Sequence, residues 1–292
     1  MSASRWRITV RALGSSSGEA DVPGELTSVV GLVPAAGRAK RIAPLPCSKE
    51  IFPVGFRRDA QGDVRPRVAS HDLFAKFARA GASRAYVILR EGKWDIPAYF
   101  VDGSIVGLDL AYIVIAESIG PPDTLDRAYP FVGQDTVVFG FPDILFGPDD
   151  VFEKLLAKLR EANADVVLGL YRAQDTASMD MVKIDQDGRV QSIVLKPPTT
   201  ELRHGWICAV WSPAFTEFMH TFVRRARGRG DADKDTYREI DSQGDLPFGA
   251  VMKSAFEAGL RMWGLVFPDD SYSDIGVPAH LVEAIRLSSS AI

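Results

Sequence analysis

The sequence is poor in the residues on which disulfide-stabilised and zinc-binding folds depend. Its 292 residues include only two cysteines, Cys47 and Cys208, and four histidines. Two cysteines cannot form a disulfide framework, and so low a number is typical of a protein in a reducing compartment. So few thiols and imidazoles also argue against a structural zinc site, which needs four such ligands.

Long apolar runs are missing as well. No run approaches the roughly 20 residues that a membrane-spanning helix needs. The basic residues within positions 1–10 are not followed by the apolar core of a signal peptide. Together with the few cysteines, these features lead us to expect a cytoplasmic protein.

Neither sign of charge is in large excess. Lysine and arginine number 34 against 38 aspartates and glutamates, a net charge of −4. This balance provides no global field to attract a polyanion, so no nucleic-acid partner is expected. A composition that is 46% hydrophobic and 25% charged is ordinary for a globular protein and excludes a disordered, coiled-coil or collagen-like chain.

The sequence does contain a regular alternation of short apolar runs and amphipathic segments. Apolar runs predict buried strands at residues 29–33, 85–89, 111–115, 136–141 and 165–170. Helical spacing between them predicts helices at residues 72–80 and 123–128 and after Asp149-Asp150. Strands that alternate with helices in this way predict an α/β fold with a Rossmann-like, mixed and mainly parallel sheet that carries helices on both faces.

Other parts of the chain follow different patterns. An Asp-Gly turn at 187–188 between two β-like runs predicts a hairpin, and the arginines at 224–229 predict a solvated basic face. Residues 1–27 include a Gly/Ser-rich stretch and are predicted to form a loosely ordered N-terminal extension. Because no repeat or linker divides the remainder, residues 28–292 are expected to form one domain.

The loop after the first predicted strand combines small residues with cations. Residues 34–37 read Pro-Ala-Ala-Gly, and Arg38, Lys40 and Arg41 follow, with Lys49 a little further along. Backbone amides and paired cations at the carboxyl end of a first strand suit a chain of phosphates. The same residues would also suit an ordinary surface turn with solvated charges.

Taken whole, residues 31–54 resemble the N-terminal motif of the sugar-phosphate nucleotidyltransferases, such as the glucose-1-phosphate thymidylyl- and uridylyltransferases. Arg41, Pro44 and the Lys-Glu-Ile-Phe-Pro-Val run at 49–54 match that motif in order. Later segments are similar in the same order: Asp-Gly-Ser to Tyr at 102–112, a turn and helix at 120–128, a strand ending before Asp143, a hairpin ending in Lys196-Pro197, and an Asp-x-Gly segment at 272–278. The resemblance covers about residues 28–287.

This resemblance implies a Mg²⁺-dependent enzyme that condenses a nucleoside triphosphate with a sugar 1-phosphate, giving a nucleoside-diphosphate sugar and pyrophosphate. Arg41 and Lys49 would hold the triphosphate, Lys196 the phosphate of the acceptor, and Asp143 with Asp274 the Mg²⁺. Further substrate contacts are implied for Ala35, Ala36, Gly37, Lys40, Pro122 and Asp123. The family is commonly oligomeric, so a homo-oligomer is also among the expectations.

The sequence departs from the motif at several positions. The family's Gly-x-Gly-Thr-Arg is Gly-Arg-Ala-Lys-Arg at 37–41, and Ala39 lacks the freedom of glycine at positive φ, so an altered loop path is expected. Leu195 stands where the family has an acid before Lys196, and Val277 stands where it has threonine. The identities of the nucleotide and the acceptor are therefore left open.

Two alternatives remain. The Pro-Ala-Ala-Gly loop also resembles the start of cytidylyltransferases that act on phosphorylated non-sugar alcohols. A non-catalytic homologue that senses a nucleotide or sugar phosphate would tolerate the altered positions, but retention of Lys49, Asp143, Lys196 and Asp274 favours an enzyme.

Overall fold

A computed structural model describes residues 28–39, 41–59, 61–228, 245–267 and 272–288. The predicted N-terminal extension at 1–27 and Lys40 lie outside these residues. No helix in the described part of the chain is both long and apolar enough to cross a membrane.

The strands, numbered along the chain, are β1 (Val29–Ala35), β2 (Pro53–Arg58), β3 (Val64–Val68), β4 (Arg84–Arg90), β5 (Asp109–Ile115), β6 (Thr136–Gly140), β7 (Ile144–Phe146), β8 (Val166–Arg172), β9 (Met181–Ile184), β10 (Val190–Val194), β11 (His204–Trp211), β12 (Met262–Val266) and β13 (Tyr272–Asp274). The α-helices are α1 (His71–Arg79), α2 (Asp95–Phe100), α3 (Pro121–Asp126), α4 (Tyr129–Val132), α5 (Val151–Glu161), α6 (Pro213–Arg227), α7 (Phe248–Glu257) and α8 (Pro278–Ser288).

A nine-stranded mixed sheet forms the centre of the structure. Strand β1 lies between β4 and β6 and is parallel to both, and β5 continues the parallel part beyond β4. On the other side, β11 is antiparallel to both β6 and β8, and β12 is parallel to β8. The predicted hairpin is β9–β10, which joins the sheet through one pairing of Met181 with Gly205. The mixed, mainly parallel α/β sheet expected from the sequence is confirmed.

Helices cover both faces of this sheet because successive strand residues point in opposite directions. On β1, Val30 and Leu32 pack into one apolar cluster, whereas Val33 packs into another. Helices α3, α6 and α7 contribute to the first cluster, and α1 and α5 contribute to the second. The period-two and helical patterns of the sequence therefore correspond to two buried layers.

Two small two-stranded sheets were not predicted. One is the antiparallel pair β2–β3, whose strands carry four arginines and so lack an apolar run. The other pairs β7 with β13, each only three residues long and far apart in the chain. Neither pair leaves a local hydrophobic pattern, because its stabilising contacts are non-local.

His71, the first residue of α1, is a buried titratable side chain with a specific electrostatic setting. Its Nδ1 accepts a hydrogen bond from the Val68 N–H at 3.0 Å, and its ring packs edge-on against Phe100. Burial, with smaller contributions from Arg57 and Arg67, lowers the pKa of His71 to about 4. The side chain is therefore neutral in the folded protein across the physiological range.

This setting predicts a pH-dependent stability. The unfolded chain binds a proton at this histidine near pH 6.5, whereas the folded protein binds it only near pH 4. Stability from this group is complete above pH 6.5 and is lost as the pH falls toward 4; at pH 5 the loss is about 2 kcal/mol. Urea unfolding at pH 7 and pH 5 should show this loss in the wild type and a smaller one in His71→Asn, whose amide oxygen can still accept from Val68. Equal losses in the two proteins would contradict the assignment.

Candidate active site

A pocket opens at the edge of the sheet where β1 and β4 end. It has a volume of about 370 Å³ and lies between the loop that follows β1 and the loop that follows β4. Its lining includes Gly37, Arg38, Ser48, Lys49, Arg90 and Lys93. Carboxyl ends of parallel strands are the usual place for ligands in α/β sheets. Four cations line the pocket against two acidic side chains, Glu91 and Asp95, so positive charge prevails and suits an anion.

Lys49, one of these cations, is held by an ion pair between its Nζ and the Asp143 carboxylate. Burial acts to lower the pKa of Lys49, but the charges of Asp143, Glu50 and Asp274 outweigh burial, and the pKa is raised. A Cβ placed on Gly37 would lie 4.0 Å from Lys49 Nζ, so the amine lies beside the small-residue loop. Lys49 is therefore a fixed positive charge next to that loop.

The short pairing of β7 with β13 brings Asp143 and Asp274 together. Asp274 is opposite Ile144 in that ladder, and Asp143 directly precedes Ile144. Just beyond the ladder, the Ile275 N–H donates to the Asp143 carbonyl oxygen at 3.0 Å. Two aspartates that are distant in sequence thus lie side by side.

Arg41 and Gly276 complete the cluster. Arg41 Nη2 lies 3.1 Å from Asp274 Oδ2, and the Gly276 N–H donates to Asp274 Oδ1 at 2.8 Å. A Cβ on Gly276 would lie 2.8 Å from Asp274 Oδ1, 3.0 Å from Arg41 Nη2 and 3.6 Å from Asp143 Oδ2. Both carboxylates and the guanidinium therefore surround one small space, and a side chain at position 276 would have to displace the ends of Asp274 and Arg41.

The carboxylates around this space would supply some, but not all, of the ligands that a hard cation such as Mg²⁺ needs. No group of three or more His, Cys, Asp or Glu side chains within the described ranges is placed to hold a metal. Two carboxylates are nevertheless what Mg²⁺ commonly takes from a protein, since water and substrate phosphates supply its other ligands. Each carboxylate is paired with a cation, which an incoming phosphate could draw away. The aspartates fit a Mg²⁺ that arrives with a nucleotide, and their metal role stays a prediction.

The small-residue loop begins as the sequence indicated. Ala35 is the buried last residue of β1, Ala36 is half-buried, and Gly37 is exposed. Ala39 adopts a left-handed conformation with φ 51°. The sequence argued against this conformation, because alanine lacks the conformational freedom of glycine. Such a conformation costs an L-residue about 1–2 kcal/mol. The chain therefore keeps a left-handed turn in this loop despite having alanine there.

Pro122 and Asp123 lie in the first turn of α3, and both are buried. The Asp123 carboxylate accepts the Ile119 N–H at 2.9 Å and pairs with the Arg227 guanidinium, whose Nη2 lies 2.7 Å from Oδ2. The side chain of Asp123 thus ties α3 to α6 instead of joining the cluster around Gly276. Arg227, expected to be part of a solvated face, is in fact the partner of a buried carboxylate. A substrate contact through the backbone of this turn stays a prediction.

Lys196 follows β10, with an exposed side chain and a left-handed φ of 37°. It lies near Asp180, whose pKa burial raises while the charge of Lys196 opposes that change. The structure thus places Lys196 beside a carboxylate other than Asp143 and Asp274. Its predicted contact with the acceptor phosphate is not tested by this geometry.

Sequence reasoning missed a second buried ion pair beside the pocket. Lys93 Nζ lies 2.6 Å from Glu50 Oε1, and the Glu50 side chain is almost fully buried. Burial raises the pKa of Glu50, an effect that Lys93 and Lys49 oppose. The pair ties the short 3₁₀ helix at Lys49–Ile51 to the loop after β4. The sequence offered one indication that Lys93 belongs near the site: it comes shortly after the carboxyl end of a predicted parallel strand.

Comparisons with known proteins point in one direction. No family model matches the chain. It is 28% identical over 136 residues to a mannose-1-phosphate guanylyltransferase of Mycobacterium tuberculosis, covering 46% of this chain and 37% of that protein. It is 25% identical over 173 residues to a glucose-1-phosphate thymidylyltransferase of Streptomyces antibioticus, covering 58% of this chain and 48% of that protein. The matches thus span about half or less of these curated relatives.

Solved structures share the fold over most of its length. A protein from Bacillus anthracis assigned as a glucose-1-phosphate thymidylyltransferase, in complex with sucrose, superposes with a TM-score of 0.72 at 15% identity, covering 89% of this chain and 95% of that one. A UDP-glucose pyrophosphorylase complexed with UDP-glucose gives 0.71 at 11% identity, covering 89% and 98%. The chain therefore has the fold of these two solved structures. In sequence, the chain is similar over about half of its length to sugar-1-phosphate nucleotidyltransferases.

Proposed function

We propose that this protein transfers a nucleotidyl group from a nucleoside triphosphate to a sugar 1-phosphate and releases pyrophosphate. The observation that carries the proposal is the convergence of Arg41, Lys49, Asp143 and Asp274 beside the pocket at the strand ends. Two adjacent carboxylates, each paired with a cation, suit a polyphosphate that arrives with a hard cation. Relatives with activities of this class supply further support.

The reaction would need little acid–base chemistry. An anionic oxygen of the sugar phosphate attacks the α-phosphorus in line, and the bond from that phosphorus to the oxygen bridging to the β-phosphate breaks. Pyrophosphate leaves with the electron pair, so no proton has to be removed from the nucleophile. The obstacle is to bring two polyanions together and stabilise the redistributed charge, which fixed cations achieve.

Each residue has a part in this proposal. Arg41 and Lys49 bind the triphosphate, and Lys196 binds the phosphate of the acceptor. Asp143 and Asp274 would hold Mg²⁺, which when bound neutralises phosphate charge. The remaining predicted substrate contacts are Ala35, Ala36, Gly37, Lys40, Pro122 and Asp123.

The paired charges also suggest an order of events. Without a nucleotide, Lys49 neutralises Asp143 and Arg41 neutralises Asp274. A triphosphate in the pocket would compete for both cations and thereby free the two carboxylates. Nucleotide and Mg²⁺ are therefore expected to bind together more tightly than either binds alone.

We expect pyrophosphate release only when Mg²⁺, a nucleoside triphosphate and a phosphorylated acceptor are all present. The test is a matrix of the common nucleoside triphosphates against sugar 1-phosphates and phosphorylated non-sugar alcohols, with pyrophosphate as the readout. Turnover with a non-sugar acceptor alone would favour the cytidylyltransferase alternative. Tight nucleotide binding without turnover across the matrix would favour a sensor. A cytoplasmic location and a homo-oligomeric state stay predictions.

A further inference from the structure

Lys93 is a mostly buried lysine in the wall of the pocket, and it lies outside every segment that resembles the nucleotidyltransferases. Its side chain is 11% exposed, and it lines the pocket together with Lys49. Taking a charged pair such as Lys93 and Glu50 out of water is costly, and apolar residues of similar volume are often as stable or more so. Stability alone therefore does not explain why a buried cation lies at this wall.

Glu50 lies between the two lysines of the pocket. Lys93 Nζ lies 2.6 Å from Glu50 Oε1, and Glu50 directly follows Lys49 in the 3₁₀ helix. Both lysines act on the Glu50 carboxylate, and Lys49 has its own ion pair with Asp143. The four side chains thus form an alternating series, Asp143, Lys49, Glu50 and Lys93. Lys93 is at the end of the series opposite to Asp143.

Two polar contacts fix the loop after β4 against the segment that contains Lys49. One is the Glu50–Lys93 ion pair. In the other, the Asp95 carboxylate accepts the Ser48 N–H at 2.6 Å and the Ser48 hydroxyl at 2.7 Å. Residues 48–50 are thereby joined to residues 93–95 beside the pocket. The position of the Lys93 charge is set before a ligand enters, and a preorganised charge stabilises a transition state without reorganisation.

The direction of the pocket indicates which part of a nucleotide would reach Lys93. In the proposed reaction, Mg²⁺ and the α-phosphate lie at the Asp143 end of the site. From Lys49, which pairs with Asp143, the pocket extends to the loop after β4. A triphosphate that reacts beside Asp143 therefore has room for its β- and γ-phosphates along the pocket toward Lys93.

We propose that Lys93 binds the terminal phosphates of the nucleotide, which leave as pyrophosphate, and that Glu50 is its positioning residue. This inference rests on the proposed function, because it takes the Asp143 end of the site as the place where the α-phosphate reacts. Negative charge develops on the leaving pyrophosphate as its bond to the α-phosphorus breaks. A fixed cation at Lys93 stabilises that charge without the transfer of a proton.

Titration calorimetry with nucleotide analogues tests the proposal. The probes are the α,β-methylene analogues of GTP, UTP, CTP and TTP, each with Mg²⁺, and the corresponding nucleoside monophosphates. Lys93→Met removes the charge and keeps most of the apolar side chain. The analogue that binds most tightly to the wild type should bind at least about 10-fold more weakly to this variant, because a charge-assisted hydrogen bond is lost. The corresponding monophosphate should bind both proteins equally.

Glu50→Gln tests the positioning role through the pH dependence of triphosphate affinity. The charged groups that act on Lys93 are Glu50, Lys49 and Asp143. Burial lowers the pKa of Lys93 and Glu50 opposes that change, so losing the Glu50 charge lowers this pKa further. Because Lys93 is neutral above its pKa, affinity for the triphosphate analogue should fall at a lower pH in Glu50→Gln than in the wild type. Coincident pH profiles would contradict the positioning role.

Lys76 offers a matched control. Its side chain is 6% exposed and its Nζ lies 2.9 Å from Asp149 Oδ1, but Lys76 is not part of the pocket lining. Lys76→Met should lose thermal stability and keep the triphosphate affinity of the wild type. The double variant Glu50→Gln/Lys93→Met removes both charges of the buried pair, so it should be more stable than Lys93→Met and still bind the triphosphate weakly. Affinity that recovers together with stability would overturn the proposal.

These measurements distinguish failure of this inference from failure of the proposed function. A wild type that binds none of the triphosphate analogues, unchanged affinity in Lys93→Met, or equal weakening of triphosphate and monophosphate overturns the inference. Triphosphate binding that depends on Lys93 in a protein that releases no pyrophosphate keeps the inference and refutes the proposed reaction. Turnover that Lys93→Met leaves intact does the reverse.

Discussion

Asp143→Asn and Asp274→Asn should each lower turnover by about 10²–10³-fold or more, because a neutral amide is a poorer ligand for Mg²⁺ than a carboxylate. The expectation follows from the shared space beside Gly276, which both carboxylates face. The measurement is pyrophosphate release at saturating nucleotide and acceptor, with Mg²⁺ varied. Higher Mg²⁺ should restore part of the activity if the aspartates hold the ion.

The two variants should differ in stability although they share a catalytic defect. Lys49 is mostly buried against Asp143, so Asp143→Asn leaves a buried cation with less compensation and should cost about 1–3 kcal/mol. Arg41 is exposed, and such pairs contribute about 0–1 kcal/mol, so Asp274→Asn should change stability little. The two ion pairs thus outweigh the repulsion between the facing carboxylates, which alone would predict a gain in stability for both variants.

A control for these variants is Asp187→Asn, in the exposed turn of the β9–β10 hairpin. It should retain wild-type turnover and Mg²⁺ dependence. If both site variants lost stability and kept activity, the aspartates would be structural, and the proposed metal site would be wrong.

Lys49→Met and Arg41→Ala should lower turnover or the use of nucleotide by about 10²–10³-fold, the usual consequence of losing a preorganised charge contact. Of the two substitutions, Lys49→Met is the more disruptive to folding, because it leaves Asp143 without its ion-pair partner. Arg41 is the cleaner test, since its side chain is 63% exposed. Steady-state kinetics with the nucleotide varied should show the defect in kcat/KM for the triphosphate.

Arg65→Ala provides the matched control for Arg41. Arg65 is an exposed arginine that also pairs with aspartates, but it lies on β3 in a separate two-stranded sheet. Its removal should leave nucleotide kinetics unchanged. Full activity in both Arg41→Ala and Lys49→Met would mean that the triphosphate binds elsewhere.

The central sheet could be predicted because its strands carry local patterns. Buried runs such as β1 and β6 are short and apolar, and amphipathic α1 and α5 lie between strands, so periodicity alone indicates the alternation. The hairpin β9–β10 followed from its Asp-Gly turn. Strands β7 and β13 left no such pattern, because three residues are too few to show a period.

The resemblance, rather than any local pattern, supplied the members of the candidate site and the expectation that Asp143 and Asp274 lie together. The ordered motif identified Arg41, Lys49, Asp143 and Asp274, but nothing local shows that β13 pairs with β7 and so sets the two aspartates side by side. The partners of buried charges could not be predicted either, because they too come from distant parts of the chain. The Glu50–Lys93 ion pair joins segments 43 residues apart, and its members look like ordinary surface residues in the sequence.

The most direct test of the proposed reaction is ³¹P NMR of the products from the most active combination in the substrate matrix. The account predicts a pair of coupled diphosphate resonances from a nucleoside-diphosphate sugar and an equimolar amount of pyrophosphate. It also predicts that Asp143→Asn forms each product at least about 100-fold more slowly at the same Mg²⁺ concentration. Release of inorganic phosphate with an unchanged sugar phosphate, or no change in any resonance with every combination, would contradict it.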